Sequence, residues 1–451
     1  MHRTIRSILA ALLLAAVTGG CRSLDPITGP PPQSGSANFS NYVGLGTNLC
    51  AGTESGGTVE RHQAFSYSTL FSQQIGSTNY DRQSYDQDGI DLLNLAPGYK
   101  LQSLSPLIIS TAGQVRGSPT RSAQPTDFHN LGVPGAIVSD VVDSSAYYGG
   151  ANYHSAHFDF IARHRGLLAQ QVARLQPTFV TFEYGANELL GPATRGSGNP
   201  IFPPGLYGIY LHAALDAVQA AAPTAKLALF TVPDATDIPY SRTFSWITRD
   251  SVGLPTPLLG PGGAPLAPGS LVLLSAGDSL AAGTGFLPSC RSYVSGVHGN
   301  GRPLRDDQIL TPAEVASLQS AVLAYNTSIS NEATARGTAL VDLYAVIKSA
   351  AANGITYNGT RYTTAFVTGG LFSLDGVHPT DFGYGVMANA LIDAVNAKFG
   401  STVLRVDLSR CQTASSSSLI ATAPRGGTMP WILHGEQAIA RMFPLGGDSP
   451  R

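Results

Sequence analysis

Charge is scarce in this 451-residue chain: Asp, Glu, Lys and Arg make up 12% of it, about half of the ~25% usual in soluble domains. That excludes a surface laced with ion pairs, and with 43% apolar residues it also excludes a disordered chain. Neither sign dominates. The balance of 27 basic and 29 acidic residues leaves a net charge of −2, which excludes charge-driven binding to nucleic acid or to anionic lipid as the main business. Lysine is nearly missing, with Lys100, Lys226, Lys348 and Lys398 alone; arginine carries the rest of the positive charge, a trait of genome composition and not of function. Cys-x-x-Cys and His-Glu-x-x-His are both absent, and the ten histidines do not cluster at ligand spacing. The sequence therefore predicts neither a metal centre nor a cofactor. What the chain has in excess is Gly, at 50, and Pro, at 30, which predicts many loops.

The apolar run Ile8 to Val17 follows His2, Arg3 and Arg6. It is too short for the roughly 20 helical residues that cross a bilayer, so it reads as a cleaved export signal. Thr18, Gly19 and Gly20 lead into Cys21, and this resembles a bacterial lipobox, with Thr18 where Leu is usual. Cys21 is the expected lipid attachment; the alternative is an ordinary secretory signal that contains a Cys. Residues 1–21 form the signal, and Arg22 to Asn38, rich in Pro, Gly and Ser, is expected to be a flexible tether. With Cys21 lipidated, Cys50, Cys290 and Cys411 remain, enough for one disulfide. Cys290 and Cys411, both in loop-like sequence, are the expected pair.

From Asn41 onward short apolar runs alternate with helical patterns, which predicts an α/β fold with a parallel sheet covered on both faces. The predicted strands are Tyr42–Gly46, Phe179–Glu183, Leu227–Val232 and Ala339–Leu343. Helices are predicted over Ala64–Gln74, Phe158–Leu175, Tyr207–Ala222, Pro312–Ala335 and Asp381–Phe399. The helix after Leu310 has the fullest signature: Thr311, Pro312 and Glu314 supply a cap, a first-turn proline and a capping-box acid. Between about 235 and 310 a Gly/Pro-rich stretch breaks the pattern and is expected to form a small β-rich insertion that caps or flanks the site. The main domain spans 39–410. Residues 411–451 are expected to be a poorly ordered tail, in which Trp431–Met442 could form a short helix.

The residues with chemistry come late in the chain. Ser373-Leu-Asp375-Gly-Val-His378-Pro379 places a carboxylate three residues before a histidine, so that it can orient the ring and stabilise the imidazolium formed when His378 acts as a base. The bland alternative is a turn closed by Asp and Pro with an exposed His. Gly185-Ala-Asn187-Glu188 follows a predicted strand and puts an amide donor where open α/β sheets bind ligands. Asn130-Leu-Gly-Val-Pro-Gly135-Ala136 offers a backbone N–H at Gly135. A glycine N–H and an Asn amide are the donors an oxyanion hole needs.

With Gly46-Thr47-Asn48-Leu49-Cys50-Ala51-Gly52 ahead of these three segments, the chain resembles the SGNH or GDSL hydrolase family, in its exported lipoprotein branch, over about Phe39 to Asp407. The resemblance implies a flavodoxin-like three-layer sandwich with the Gly/Pro-rich insertion. It implies hydrolysis of carboxylic esters, with a small-molecule, lipid or carbohydrate ester as substrate. It assigns Asp375 and His378 as acid and base and Gly135 and Asn187 as oxyanion donors. Asn48 stands where the family carries its nucleophilic serine, and an amide is a poor nucleophile that imidazole cannot usefully deprotonate. Gly277-Asp278-Ser279-Leu280 repeats the family's tetrapeptide downstream but out of motif order, and Thr47, Cys50 and Ser55 are further candidates for the missing nucleophile. Two functions follow as expectations: an exported ester hydrolase of the cell envelope, anchored to the membrane through Cys21, or a catalytically inactive, surface-tethered ligand-binding lipoprotein of the same fold. A structural lipoprotein with no site is the third.

Overall fold

The computed structural model describes residues 33–93, 95–104, 107–148, 155–196, 199–412 and 431–433. Cys21 and the expected signal lie outside them. Five strands form the central sheet: β1 (Tyr42–Gly46), β2 (Asn130–Gly132), β3 (Phe179–Glu183), β4 (Lys226–Phe230) and β5 (Ala339–Val341). Their order is β2-β1-β3-β4-β5 and every pairing is parallel. This is the flavodoxin-like order, which reverses between β1 and β3 and leaves a crevice beyond their carboxyl ends.

Alternation along the strands divides the core in two. Tyr42, Phe179, Ala228 and Phe230 face one layer, while Val43, Leu45, Val180, Phe182, Leu227 and Leu229 face the other, the period-2 consequence of strand geometry in a sheet buried on both sides. Among the described helices, α1 (Asn48–Ala51), α2 (Tyr67–Gln74), α3 (Leu168–Leu175), α4 (Asn187–Arg195), α5 (Pro204–Ala221), α6 (Pro312–Arg336), α7 (Leu343–Asn353) and α8 (Asp381–Phe399) cover the faces or sit at strand ends. Helix α8 packs with α2 and α7 on the Tyr42 side, and α3, α5 and α6 pack on the Val43 side.

Several boundaries differ from expectation for local reasons. The predicted helix Phe158–Leu175 is broken, because Arg163, His164 and Gly166 adopt φ of 49°, 55° and 84° and Arg163 donates to the carbonyls of Gln124 and Thr126. Helix α2 starts at Tyr67 and not at Ala64, since the Ser66 side chain caps it by accepting from the Thr69 N–H. Strand β5 stops at Val341 because Asp342 caps α7, a helix outside the predicted set. The capping box expected at Thr311 and Glu314 is formed, with Thr311 N–H donating to Glu314 Oε2 at 2.7 Å.

The segment after Asp234 contains two antiparallel strand pairs, Ile247–Arg249 with Pro255–Pro257 and Leu271–Val272 with Ile309–Leu310. Its Leu258, Val272, Leu274 and Phe286 join the same core cluster as the Tyr42 face of the sheet, so it is bound into the domain's own core. At the N-terminal edge, residues 34–38 are not free tether: Ser36 N–H donates to Phe399 O at 2.8 Å and Ala37 is buried. Trp431–Leu433 form a strand beside Leu107–Ile109, not the start of a helix; the remainder of that expected helix lies outside the described residues. Cys290 and Cys411 are both buried free thiols, so the expected disulfide is not formed. No described helix is long and apolar enough to cross a membrane.

Candidate active site

Strand β1 delivers its last residue, Gly46, into a turn with no room for a side chain. A Cβ there would lie 2.8 Å from Cys50 Cβ and 2.9 Å from Glu183 Oε2. Thr47 N–H donates to Glu183 Oε2 at 3.0 Å and its hydroxyl donates to the same carboxyl. Asn130, opening β2, braces the turn from beneath, with Nδ2 donating to Cys50 O at 2.9 Å. Asn48 is thereby fixed as the first residue of α1, 4% exposed at the mouth of the crevice.

Every group assigned by sequence converges there. Asn48 Oδ1 accepts from Gly135 N–H at 2.8 Å and from Asn187 Nδ2 at 3.0 Å. Gly135 has φ +83°, a left-handed conformation that glycine adopts without strain, and Asn187 is steadied by a second bond to Ala136 O at 2.8 Å. Two donors on one oxygen define which end of the amide is the carbonyl. Its Nδ2 therefore faces His378 and donates to Nε2 at 3.0 Å. The other ring nitrogen, Nδ1, carries the proton that bonds Asp375 Oδ2 at 2.8 Å.

Asp375 is held by more than the histidine. Oδ1 accepts from the N–H groups of Val377 and His378 at 2.8 Å each, and Oδ2 accepts from Gly56 N–H at 2.6 Å. Burial pushes the Asp375 carboxyl up, but the electrostatic pull and hydrogen bonds of His378 and the Val377 backbone donor outweigh it, so it sits below its ordinary value and stays ionised. The Ser55-Gly56-Gly57 turn that supplies one of these donors was not singled out from sequence as a support for Asp375. Its Ser-Gly and Gly-Gly pairs mark a turn, but nothing local shows that it packs 319 positions away.

The alternative nucleophiles are committed elsewhere. Thr47 points to Glu183, and Cys50 is fully buried, its thiol pushed up to about 12 by burial and by Glu183. Ser55 Oγ accepts from Leu374 N–H at 3.3 Å. Ser279 lies on a short helical turn of the inserted segment and accepts from Gln308 Nε2 at 2.9 Å.

An apolar cavity of ≈ 60 Å³ opens from Asn48 and His378, walled by Leu189, Leu190, Val232, Ile347, Phe372 and Met387. A second, of ≈ 10 Å³, also touches Asn48 and His378, from the side of Leu92 and Pro134. Beneath the site lies a group that sequence spacing did not reveal. Glu54, His62 and Asp381 bring ligand-type atoms within 4.8 Å of one another, and they are the described residues whose donor set could hold a cation. Burial raises Asp381 to about 8 and lowers His62, and His62 Nδ1 lies 3.1 Å from Asp381 and 3.2 Å from Glu54.

Among solved structures, the chain is similar to LAE5, an alpha/beta hydrolase enzyme from the metagenome of Lake Arreo, Spain, at 14% identity over 80% of this chain and 96% of that one, with a TM-score of 0.35. It is also similar to a Clostridium thermocellum family 3 carbohydrate esterase, at 12% identity over 80% and 98% of the two chains, with a TM-score of 0.31. No curated protein matches. The family described as GDSL-like Lipase/Acylhydrolase matches residues 106–391, a span that contains Gly135, Asn187, Asp375 and His378 and begins after Asn48. That match covers more than half of the chain, which therefore belongs to the GDSL-like lipase/acylhydrolase family.

Proposed function

We propose that this chain is a carboxylic-ester hydrolase whose substrate carries an apolar acyl part, and that Asn48 holds its turnover low. The observation that carries the reading is the bond pattern of Asn48: two donors aimed at one oxygen, and a carboxylate-oriented imidazole 3.0 Å from the adjoining nitrogen. Groups so placed stabilise a tetrahedral oxyanion and handle the proton of acyl transfer. With no hydroxyl at position 48, the nucleophile is water, activated by His378. An ester carbonyl reaches Gly135 and Asn187 once the Asn48 amide turns aside, and the acyl part enters the Leu190 and Met387 cavity.

The same bond pattern favours a second reading, in which Asn48 seals the site and the chain binds an acyl ligand without turning it over. Hydrolysis of short-chain and long-chain chromogenic esters by purified protein, beside His378→Ala and Asn48→Ser, separates the two. Slow activity that His378→Ala removes and Asn48→Ser raises supports the hydrolase. Activity equal in native protein and His378→Ala, with a folded but inactive Asn48→Ser, supports the binder.

The chain is further proposed to be exported and tethered to a bacterial envelope membrane through lipid on Cys21. Cys21→Ser moves the protein from the membrane to the soluble fraction if so, and leaves the distribution unchanged if Cys21 is an ordinary residue of the signal.

A further inference from the structure

The side chain of Asn48 is itself a primary amide, and it lies in the position of a bound acyl group. Its carbonyl oxygen takes the two donors at 2.8 and 3.0 Å. Its nitrogen, the leaving group of any amide hydrolysis, lies 3.0 Å from His378 Nε2. Asp375 fixes the ring from behind at 2.8 Å. Both cavities that border Asn48 also border His378, and the smaller, at ≈ 10 Å³, is about the space one water needs.

We infer that Asn48 is a self-modification site, where the oxyanion donors and His378 hydrolyse the residue's own side-chain amide to leave aspartate and ammonia. Water attacks Cγ, and a new C–O bond forms as the C=O electron pair moves onto Oδ1, held by Gly135 N–H and Asn187 Nδ2. His378 Nε2 exchanges its bond with Nδ2 for one with the attacking water and takes its proton. When the tetrahedral carbon collapses, the Cγ–Nδ2 bond breaks, His378 returns the proton to nitrogen, and ammonia leaves. The new carboxyl group then loses its own proton to ammonia, giving carboxylate and ammonium. No oxidant or second substrate is needed. The inference uses the same groups as the proposed ester hydrolysis but requires no external ester.

Asparagine is ordinarily lost by a different path. Attack by the following backbone nitrogen gives a succinimide that opens to both aspartate and isoaspartate, and it favours flexible Asn-Gly pairs. This chain carries three Asn-Gly pairs with exposed asparagines, Asn300-Gly301, Asn353-Gly354 and Asn358-Gly359, and the first and last serve as internal comparators. Asn48 precedes Leu49 inside a helical turn, and its carbonyl oxygen is pinned.

The test is peptide mass mapping of the native protein during incubation in ¹⁸O-water, beside His378→Ala, Asp375→Asn and Asn187→Ala, each shown to be folded by circular dichroism. The expected result is aspartate alone at position 48, with one ¹⁸O per event. The rate should fall by ~10²-fold or more without the base and by ~10²–10³-fold without the Asn187 donor. Full conversion in freshly purified native protein, with asparagine retained in His378→Ala, is the same result at a faster rate. The inference is overturned if position 48 stays asparagine while Asn300 or Asn358 converts, if isoaspartate forms at 48, or if the three variants convert at the native rate. Ester hydrolysis is read separately, so either activity can fail without the other.

Discussion

At position 48 one amide satisfies three buried polar groups: Gly135 N–H, Asn187 Nδ2 and His378 Nε2. Removing it takes one partner from each, although Asn187 Nδ2 keeps its bond to Ala136 O. Asn48→Ala is therefore expected to destabilise the fold by about 1–3 kcal/mol, the usual cost of orphaned buried polar groups, as read from urea unfolding; an unchanged midpoint would show that water replaces the amide fully. Asn48→Ser is expected to act in the opposite sense on chemistry. Its hydroxyl would lie within reach of His378 while the oxyanion position becomes vacant, and even systems lacking a triad member keep ~10³-fold catalysis over water. Chromogenic ester hydrolysis should rise by at least ~10²-fold. A folded Asn48→Ser with no gain would mean that the crevice no longer aligns substrate and base. The convergence itself was legible in sequence because each group sits in a short motif with its own signature, a carboxylate three before a histidine or an amide just past a strand. What the motifs could not convey was the rotamer of Asn48, since which end of an amide meets which partner depends on groups 87, 139 and 330 positions away.

At the scale of elements, the junction of β1 and β3 carries a titration. Burial raises the Glu183 carboxyl to about 8, against the bonds from Thr47 and the Cys50 N–H that lower it. An acid whose folded value is raised binds its proton more tightly in the folded state. Stability is then greatest at low pH and is lost as pH climbs from the unfolded value of 4.5 to about 8, because the unfolded chain releases the proton first. Asp381, also raised to about 8, acts in the same direction. The Glu183 contribution to thermal stability should therefore fall between pH 5 and 8, opposed in the lower part of that window by His62, His129 and His157, whose values burial lowers and which act the other way. Glu183→Gln, which cannot ionise, should remove the Glu183 share, on the order of one to a few kcal/mol. A native slope unchanged in Glu183→Gln would place the titration at Asp381 alone or elsewhere. Strands β1 and β3 could be read from sequence to the residue because they are five-residue stretches rich in aromatic and aliphatic side chains with clean boundaries. Strand β2 has three residues, too few for a period to show, and its role emerges only through pairing with β1. Ser279 belongs at this scale too. Its tetrapeptide has the family's letters, but it lies in a helical turn of the inserted segment, bonded to Gln308, and Ser279→Ala is expected to leave ester hydrolysis within twofold of native. A selective loss of activity in that variant would make it the nucleophile.

The whole molecule shows in the apolar cavity beside Asn48 and His378, which no single segment could build. Its wall draws Leu189 and Leu190 from α4, Val232 from beyond β4, Ala235 and Ile238 from the start of the inserted segment, Ile347 from α7 and Met387 from α8. Helix α7 went unread in the sequence, and with it the far wall of this cavity, because its charge-poor sequence LYAVIKSAAAN follows β5 with only Asp342 between them. A further cavity of ≈ 20 Å³ lies behind, and Ile347, Phe372, Pro379 and Met387 line both. These four residues are a partition, so in the proposed hydrolase they would set how long an acyl chain the ≈ 60 Å³ space accepts. Met387 is the member to remove, being unbranched and 2% exposed, with no backbone role of the kind Pro379 has before α8. Met387→Ala is expected to join the two spaces, and each methylene newly buried adds about 0.8 kcal/mol of affinity. In fatty-acid binding, and in ester hydrolysis with Asn48→Ser as the common background, the preferred chain should lengthen by two or more carbons while short chains lose affinity. The variant will cost stability, about 2–5 kcal/mol for a buried Met, so the comparison belongs at a temperature where both proteins are folded. A chain-length profile identical to that of the parent would mean that the acyl part lies elsewhere on the surface, and that the Met387 wall is core packing without a part in selection.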